Sequence, residues 1–201
     1  AIDERTPFTG YESLTGGSKI LAMVSNDVEV DSLATDAEGL IVLDETPFYA
    51  ESGGQVGDLG RISWSGGEFQ VTDVRYLAHK VIAHFGRVVS GVPKLGDSVE
   101  CVVDSNNRSA TAANHSATHL LHSALREVLG DHVQQKGSMV NAERLRFDFS
   151  HGEAVSSADI DKIEQIVNHQ IRINSGVNTR VMNLDDAREE GAAALFGERY
   201  E

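Results

Sequence analysis

Three histidines at helical spacing are the residues of this sequence best suited to chemistry: His115, His119 and His122. The stretch around them is predicted to be a helix, since Asp104 or Ser105 can cap its start and Gly130 follows its last apolar pair. Residues four apart lie on the same helix face, so the ring nitrogens of His115 and His119 can converge on one cation. The spacing therefore indicates half of a metal site.

Zinc suits a pair of imidazoles, and the hydroxyls of Ser116 and Thr118 are poor competing ligands. Two ligands do not close a tetrahedral site, however, and a solvated helix face that happens to hold histidines explains the same pattern. A zinc peptidase would need Glu directly after His115 as its general base, and Ser116 stands there instead. From the residues alone, a metal site and a solvated face both stay open.

The predicted helix also carries an apolar stripe at three- and four-residue intervals, formed by Ala113, Ala117, Leu120, Leu121, Ala124 and Val128. At about 100° per residue the histidines fall on the opposite face, with Arg126 beside them. We therefore expect one side of the helix to pack and the other to present imidazoles, with His115 and His119 pointing into a cleft.

Before this helix, residues 1–105 read as short strands separated by glycine pairs, which is typical of a small barrel or sandwich. After it, residues 133–149 predict a hairpin turning near Asn141, and Ser156 opens a second helix through a capping box with Asp159. A strand over residues 178–182 and a last helix over residues 185–196 complete the pattern. The expected fold class is α+β.

The predicted domains are a β-barrel-like subdomain over residues 1–105 and an α/β two-layer core over residues 106–201, with a cleft between them. The glycine-rich loop at residues 51–57 belongs to the first. It lacks the Lys-Ser/Thr of a phosphate-binding Walker loop and opens no helix, so ATP binding there is improbable. A tight turn is its simplest explanation, although glycines also allow the backbone to approach a ligand closely.

The composition is that of an ordinary globular protein of 201 residues, with 40% hydrophobic and 24% charged residues. The formal net charge of −14 argues against an extensive grip on a phosphate backbone. Five cations near the histidines could still act locally: Arg108, Arg126, Lys136, Arg144 and Arg146. The single cysteine, Cys101, excludes an internal disulfide framework, fits a reducing cytoplasm and is expected to be an inert strand residue.

Five motifs in order resemble the editing region of alanyl-tRNA synthetase, and the resemblance covers nearly the whole chain. They are residues 46–58 (Thr-Pro-Phe-Tyr-Ala-Glu-Ser-Gly-Gly-Gln-Val-Gly-Asp), 114–122 (Asn-His-Ser-Ala-Thr-His-Leu-Leu-His), 135–138 (Gln-Lys-Gly-Ser), 146–151 (Arg-Phe-Asp-Phe-Ser-His) and 191–200 (Gly-Ala-Ala-Ala-Leu-Phe-Gly-Glu-Arg-Tyr). The N-terminus, with neither Met nor an apolar segment, resembles that of an excised piece of a longer chain.

The resemblance implies hydrolysis of the ester in mischarged Ser-tRNA(Ala) and Gly-tRNA(Ala), with zinc assistance, in a synthetase that attaches alanine to tRNA(Ala). It makes His115 and His119 zinc ligands. Catalytic or side-chain-sensing roles fall to three polar residues: Thr118, Gln135 and Ser138. Substrate contacts fall to the glycine-rich loop: Gly53, Gly54 and Gln55. The implied partners are the 3′ end of the tRNA and the other synthetase domains, in the cytoplasm and without a membrane.

In that family a Cys-x-x-x-His motif downstream completes the zinc site, and this sequence stops at Glu201 before it. We therefore expect a zinc site that is incomplete in this fragment, empty or weakly occupied, and a fragment that is inactive alone if the metal is essential. The alternatives are a free-standing deacylase acting on mischarged alanine tRNA and a catalytically incomplete module that binds tRNA or protein.

Overall fold

The computed structural model describes residues 5–176, 180 and 182–190. The chain divides into two compact units, one made of Ala1–His115 and Met139–Leu145, the other of Ser116–Ser138 and Arg146–Glu201. The described residues form an α+β structure with a six-stranded antiparallel barrel and three helices. The domain boundary at residue 105 and the cleft stay predictions.

The barrel lies in the first unit, and its strands are all antiparallel to their neighbours. They are β1 (Thr15–Ser25), β3 (Glu38–Leu43), β6 (Ile82–Ser90), β5 (Gly67–Tyr76), β4 (Gly60–Trp64) and β7 (Ser98–Val103), in that order around the wall. Pairing of Thr15 with Val102 through Lys19 with Ser98 joins β7 back to β1 and closes the ring. The short strand β2 (Val28–Glu29) pairs only with β1 among the described strands.

Alternating side chains of these strands fill the barrel, which is why short β-branched segments form it. The largest fully buried side chains of the strands are Phe69, Ile20, Met23, Ile41, Leu43, Ile62 and Ile82, and Phe48 and Leu33 join them from connecting segments. Of the barrel and the sandwich that the short strands of residues 1–105 predicted, the structure has the barrel. Cys101 is fully buried in β7, and burial raises the pKa of its thiol to about 12, so it is the inert strand residue that was predicted.

Helix α1 (Ser105–Leu129) begins where Asp104 Oδ1 accepts the amide N–H groups of Asn106 and Asn107, both at 3.0 Å. It ends at Gly130, whose φ of +112° continues no helix. The hairpin β8 (Gln135–Val140) and β9 (Leu145–Phe149) follows, with Asn141 Oδ1 accepting two turn amides at 2.9 Å. The predicted cap and hairpin are confirmed.

The predicted apolar stripe of α1 is wrong in part. Ala113 is exposed, and the four buried side chains on the helix are Thr111, Thr118, Ala124 and Leu125. The inward stripe runs at spacings of four and three through Thr111, His115, Thr118, His122, Leu125 and Leu129. Leu121, Ala124 and Val128 of the predicted stripe do pack in the core of the second unit. His115 and His122 are partly buried, whereas His119 is exposed, so the packed face is shifted from the one that apolar periodicity marked.

Helix α2 (Ser157–Ile173) belongs to the second unit and is capped by Ser156, whose Oγ accepts the N–H of Asp159 at 3.1 Å. The predicted helix start and its Ser156 cap are confirmed, and the Asp159 carboxylate accepts from the Ser156 hydroxyl at 2.6 Å. Ile163 packs with Ala124, Leu125 and Val133 in that unit's core. Ile160 and Ile171, on the same helix, are about half exposed.

A short helix α3 (Leu184–Glu189) covers the described part of the last predicted helix. The remainder of that helix, residues 191–196, lies outside the described residues, as does the motif at residues 191–200. The strand predicted over residues 178–182 also falls largely outside them, with Arg180 and Met182 described but not in a strand.

Candidate functional site

The glycine-rich loop of the first unit is a two-residue hairpin turn. Ser52 and Gln55 exchange both backbone hydrogen bonds, at 3.1 and 2.9 Å, around Gly53 and Gly54. The φ angles of the two glycines are +58° and +82°, the left-handed pair that a type I′ turn requires. The turn conformation therefore explains why glycine occupies both positions. Contact of these glycines with a substrate stays a prediction.

The backbone of this loop is attached to the end of β8. Gln55 bridges Val140 in parallel, with Val140 N–H donating to Gly54 O at 2.7 Å and Val56 N–H donating to Val140 O at 3.0 Å. The side chain of Gln55 is 7% exposed, and its Oε1 lies 2.7 Å from His115 Nδ1. The structure therefore brings one predicted substrate contact against one predicted metal ligand.

Two of the three predicted catalytic residues meet in the second unit. The Gln135 amide donates to Ser138 Oγ at 3.2 Å, and both side chains are partly buried on β8. Thr118, the third, is 5% exposed on α1. The catalytic or substrate-sensing roles of these three residues stay predictions.

The other histidines and Asp148 have different surroundings. His122 packs against Phe147, with ring centroids 5.1 Å apart, so its ring is part of the packed face rather than a solvated one. Asp148 accepts from Arg146 Nη2 at 3.1 Å.

Zinc needs three or four protein ligands. Among the residues that the structure describes, no group of three or more His, Cys, Asp or Glu side chains is placed to hold one ion. The described residues alone therefore do not make a complete zinc site. Zinc binding by His115 and His119 stays a prediction.

The five cations near the histidines are not equally available to a phosphate. Arg108 is largely buried and pairs with Asp58, Arg126 pairs with Asp131 at 3.0 Å, and Arg146 pairs with Asp148. Exposed Lys136 and Arg144 remain as candidate phosphate contacts. The acidic cavity of about 510 Å³ in the first unit, beside Glu51, Asp73 and Glu143, does not include Gln55 or His115 in its lining.

Comparison with known proteins identifies the family. Residues 1–107 match the family model described as tRNA synthetases class II (A). The chain belongs to the class II (A) tRNA synthetases. Among the helices described, none is long and apolar enough to cross a membrane.

Nearly the whole chain is also similar to one portion of alanine–tRNA ligases. It is 51% identical over 199 residues to the ligase of Saccharophagus degradans and 48% identical over 199 residues to that of Idiomarina loihiensis. Each alignment covers 99% of this chain and 23% of the relative. The chain thus spans about a quarter of the length of these relatives.

The sequence resemblance to an editing domain is corrected by the family match. The matched family is that of the class II (A) synthetases, which indicates the aminoacylation domain rather than an editing domain. The motif at residues 46–58 has structural explanations inside the barrel unit. Thr46 Oγ1 lies 2.7 Å from His84 Nε2, the two glycines form a turn, and Asp58 pairs with Arg108. Because these contacts explain the motif at residues 46–58 by folding alone, the motif by itself does not identify a reaction.

The sequence did not predict the side-chain contacts that fix the geometry of this region. Asp58 and Arg108 are 50 positions apart, and no spacing rule connects them. Asn114 donates to Asn141 O at 2.8 Å and was not singled out either. The signal that the sequence offered was that these residues are polar and that Asp58 and Asn114 lie at the ends of two of the motifs. Such a signal does not predict which residues contact each other.

Proposed function

We propose that this chain is part of an alanine–tRNA ligase acting in translation, and that the region around α1 hydrolyses the ester of wrongly charged tRNA(Ala). The proposed substrates are Ser-tRNA(Ala) and Gly-tRNA(Ala), bound by their 3′ ends, with the other domains of the synthetase as partners. Similarity to two alanine–tRNA ligases along 99% of the chain supports the first part.

The polar character of the inward stripe on α1 is the observation that carries the second part. Its first four positions are Thr111, His115, Thr118 and His122, followed by Leu125 and Leu129, while Leu121 and Ala124 also pack in the core of the second unit. Hydroxyls and imidazoles at packed positions cost free energy relative to apolar side chains, so such positions are often functional. Gln135 and Ser138 form a hydrogen-bonded polar pair in the same unit as Thr118.

The need for hydrolysis has a physical cause. A pocket shaped for alanine loses only about 1–3 kcal/mol of binding when glycine lacks the methyl group, and rejects an added hydroxyl weakly. A second site that hydrogen-bonds the serine hydroxyl can recognise what the first admitted. In this proposal Thr118, Gln135 and Ser138 contact the aminoacyl group, while water attacks the ester carbonyl and the tRNA 3′ oxygen leaves with a proton.

The family match favours a second candidate function. Because residues 1–107 match the class II (A) synthetase model, the barrel could instead serve the aminoacylation reaction of the whole enzyme. That reaction needs ATP, whereas ester hydrolysis does not, so the two candidates are separable by assay.

The deciding experiment measures release of amino acid from Ser-tRNA(Ala) and Gly-tRNA(Ala) by this chain, with Ala-tRNA(Ala) as the substrate to be spared. ATP–pyrophosphate exchange with alanine is measured in parallel. Gln135→Ala should slow release, while Gln134→Ala, its exposed neighbour on the same segment, should not. The same assays are run on a longer chain that contains this one. Intact esters with both chains would refute hydrolysis, and alanine-dependent exchange would support the aminoacylation candidate.

A bulky replacement such as Thr118→Phe is a poor test of the proposed contact of Thr118 with the aminoacyl group. Thr118 is only 5% exposed, so a phenyl ring there would overpack the unit and confuse unfolding with inhibition. Thr118→Val keeps the shape and removes the hydroxyl. We expect it to reduce discrimination of seryl from alanyl ester, which the same release assay measures.

A further inference from the structure

Tyr11 is an aromatic side chain of the barrel unit that the fold leaves 75% exposed. Its ring packs edge-on against Phe8, with centroids 4.9 Å apart and planes at 83°. Phe8 in turn meets Tyr49 edge-on, at 5.9 Å and 75°. The Arg108 guanidinium carbon lies 6.0 Å from the centroid of the Phe8 ring. The exposed ring of Tyr11 is therefore the outer member of an aromatic cluster formed by Phe8, Tyr11 and Tyr49.

The backbone that carries Tyr11 is held in a tight turn. Glu12 N–H donates to Thr9 O at 3.0 Å, which closes the turn around Tyr11. A Cβ at Gly10 would lie 2.2 Å from Pro47 O, so the turn packs too closely for a side chain at that position. An aromatic ring on such a support loses little conformational freedom when a ligand stacks on it.

The aromatic cluster borders the glycine-rich loop through Tyr49. Burial raises the pKa of the Tyr49 phenol, and the neighbouring phenols of Tyr11 and Tyr76 raise it further. A hydrogen bond with the Ser52 side chain lowers that pKa. The three phenols and Ser52 therefore lie near one another, and Tyr76, 45% exposed, offers a second accessible ring. Ser52 directly precedes the two glycines that are predicted substrate contacts.

The charge of the chain favours a ligand that binds through stacking. With a formal net charge of −14, the chain is poorly suited to an extensive grip on phosphates. Unpaired bases stack on aromatic side chains, and stacking needs no cation. A protein interface would instead need about 800 Å² from each partner, whereas Tyr11 is followed on its turn by the exposed polar residues Glu12 and Ser13. Exposed rings on a polar turn fit an unpaired nucleotide better than a protein surface.

We propose that Tyr11, with Tyr76 as a second ring, is a stacking site for the unpaired nucleotides at the 3′ end of the tRNA. The inference rests on the proposed function, which makes tRNA(Ala) the substrate, and it adds the residues that hold the single-stranded end. Neither phenol takes part in the chemical step.

NMR of the chain with ¹³C-labelled tyrosine rings tests the contact directly, with a short single-stranded RNA ending in CCA as the probe. A base stacked on a ring shifts the ring-proton signals upfield, so the signals of Tyr11 and Tyr76 should move as RNA is added. An abasic ribose-phosphate strand of the same length is the matched control and should leave both signals in place. Signals that respond equally to the two strands overturn the proposal. A Tyr11 ring that RNA does not shift overturns it too, and the exposed rings would then point to a protein partner.

Substitutions at Tyr11 separate the ring from the hydroxyl. Tyr11→Phe keeps the ring and should bind the RNA within about twofold of the wild type, whereas Tyr11→Leu should weaken binding at least about fivefold, the lower end of the usual loss per stacked base. Leu95→Ala, at a side chain of the same unit that is 49% exposed, controls for the loss of exposed apolar surface and should not change binding. Equal RNA affinity of Tyr11→Leu and the wild type, with the same circular dichroism, would refute the stacking site.

Salt dependence distinguishes stacking from phosphate contact. Between 50 and 200 mM salt, each phosphate contact would weaken binding about 2.6-fold, whereas binding through stacking should change by less than about twofold. A steeper dependence would assign the binding to cations and count against stacking.

Kinetics links the stacking site to the proposed reaction. In the release assay, Tyr11→Leu should raise KM for Ser-tRNA(Ala) at least about fivefold and leave kcat within about twofold of the wild type. An unchanged KM, with an active wild type, overturns the stacking site and leaves hydrolysis in place. If neither this chain nor a longer one releases amino acid, the proposed function fails, while the RNA titration still decides whether Tyr11 binds a base.

Discussion

Arg108 forms a buried, two-pronged ion pair with Asp58 inside the barrel unit. Arg108 Nε lies 2.8 and 3.1 Å from the two carboxylate oxygens, and Nη2 also contacts Oδ2. The arginine and aspartate side chains are 14% and 4% exposed. Two further guanidinium hydrogens are donated to the carbonyls of Gly10 and Pro47, at 3.1 and 3.0 Å. The pair thus fixes the first turns of α1 to the barrel.

Arg108→Met should destabilise the barrel strongly. The change leaves the Asp58 carboxylate buried without its cation, a loss of about 3–5 kcal/mol. Urea unfolding followed by fluorescence of Trp64, the single tryptophan, measures it. Arg61→Met is the control, since its pair with Glu68 is 3.9 Å long and about half exposed, and should cost about 1 kcal/mol or less. Equal effects of the two variants would contradict the importance of burial.

Gly86→Ala should destabilise the barrel wall, whereas Gly17→Ala should not. A Cβ at Gly86 would lie 1.8 Å from the Gln70 carbonyl oxygen, so two strands would have to separate. We expect a loss of at least about 1–3 kcal/mol, the usual cost of overpacking. A Cβ at Gly17, on β1, meets nothing within 4 Å, and alanine there should gain roughly 0.5–1 kcal/mol. Thermal melts of both variants provide the comparison.

Barrel stability should fall as the pH falls from about 6.5 to 4, because of His84. Burial lowers the pKa of this imidazole from 6.5 to about 4, while its hydrogen bond to Ile41 O opposes the shift. Between these values the unfolded chain binds the proton and the folded one does not, so stabilisation is complete above about pH 6.5 and lost toward pH 4. A shift of this size corresponds to about 3 kcal/mol.

His84→Gln removes the titration while keeping neutral hydrogen-bonding groups for Thr46 and Ile41. Subtracting its unfolding free energy from that of the wild type at each pH cancels the carboxylates, which titrate in both proteins. The difference should change by about 3 kcal/mol between pH 6.5 and 4. A difference that does not vary with pH would mean that His84 is not protonated on unfolding.

Ser156→Ala should loosen the start of α2. Ser156 Oγ accepts the Asp159 N–H at 3.1 Å and donates to its carboxylate at 2.6 Å, so both halves of the cap are lost. The expected cost is about 1 kcal/mol. Hydrogen exchange of the first-turn amides of α2 measures it locally. Ser157→Ala, one residue into the helix, should leave those amides protected, and equal exchange in both variants would argue against the cap.

The amino-acid sequence by itself determined the local elements of this protein. Alternating β-branched residues marked the six barrel strands, Asn141 marked the hairpin turn, and Ser156 with Asp159 marked a helix start. These signals work because strand periodicity, turn conformation and capping depend on residues close together in the chain. The tight turn at Gly53 and Gly54 was foreseeable for the same reason.

Only the tertiary structure decided which faces pack and which distant residues meet. Apolar spacing placed Ala113 inward and the histidines outward, yet Thr111 and Thr118 are buried and His122 packs on Phe147. The closure of β1 on β7, the Arg108–Asp58 pair and the Gln55–His115 bond each join segments that are 50 or more residues apart. Such contacts depend on how the whole chain folds, and local sequence patterns do not predict them.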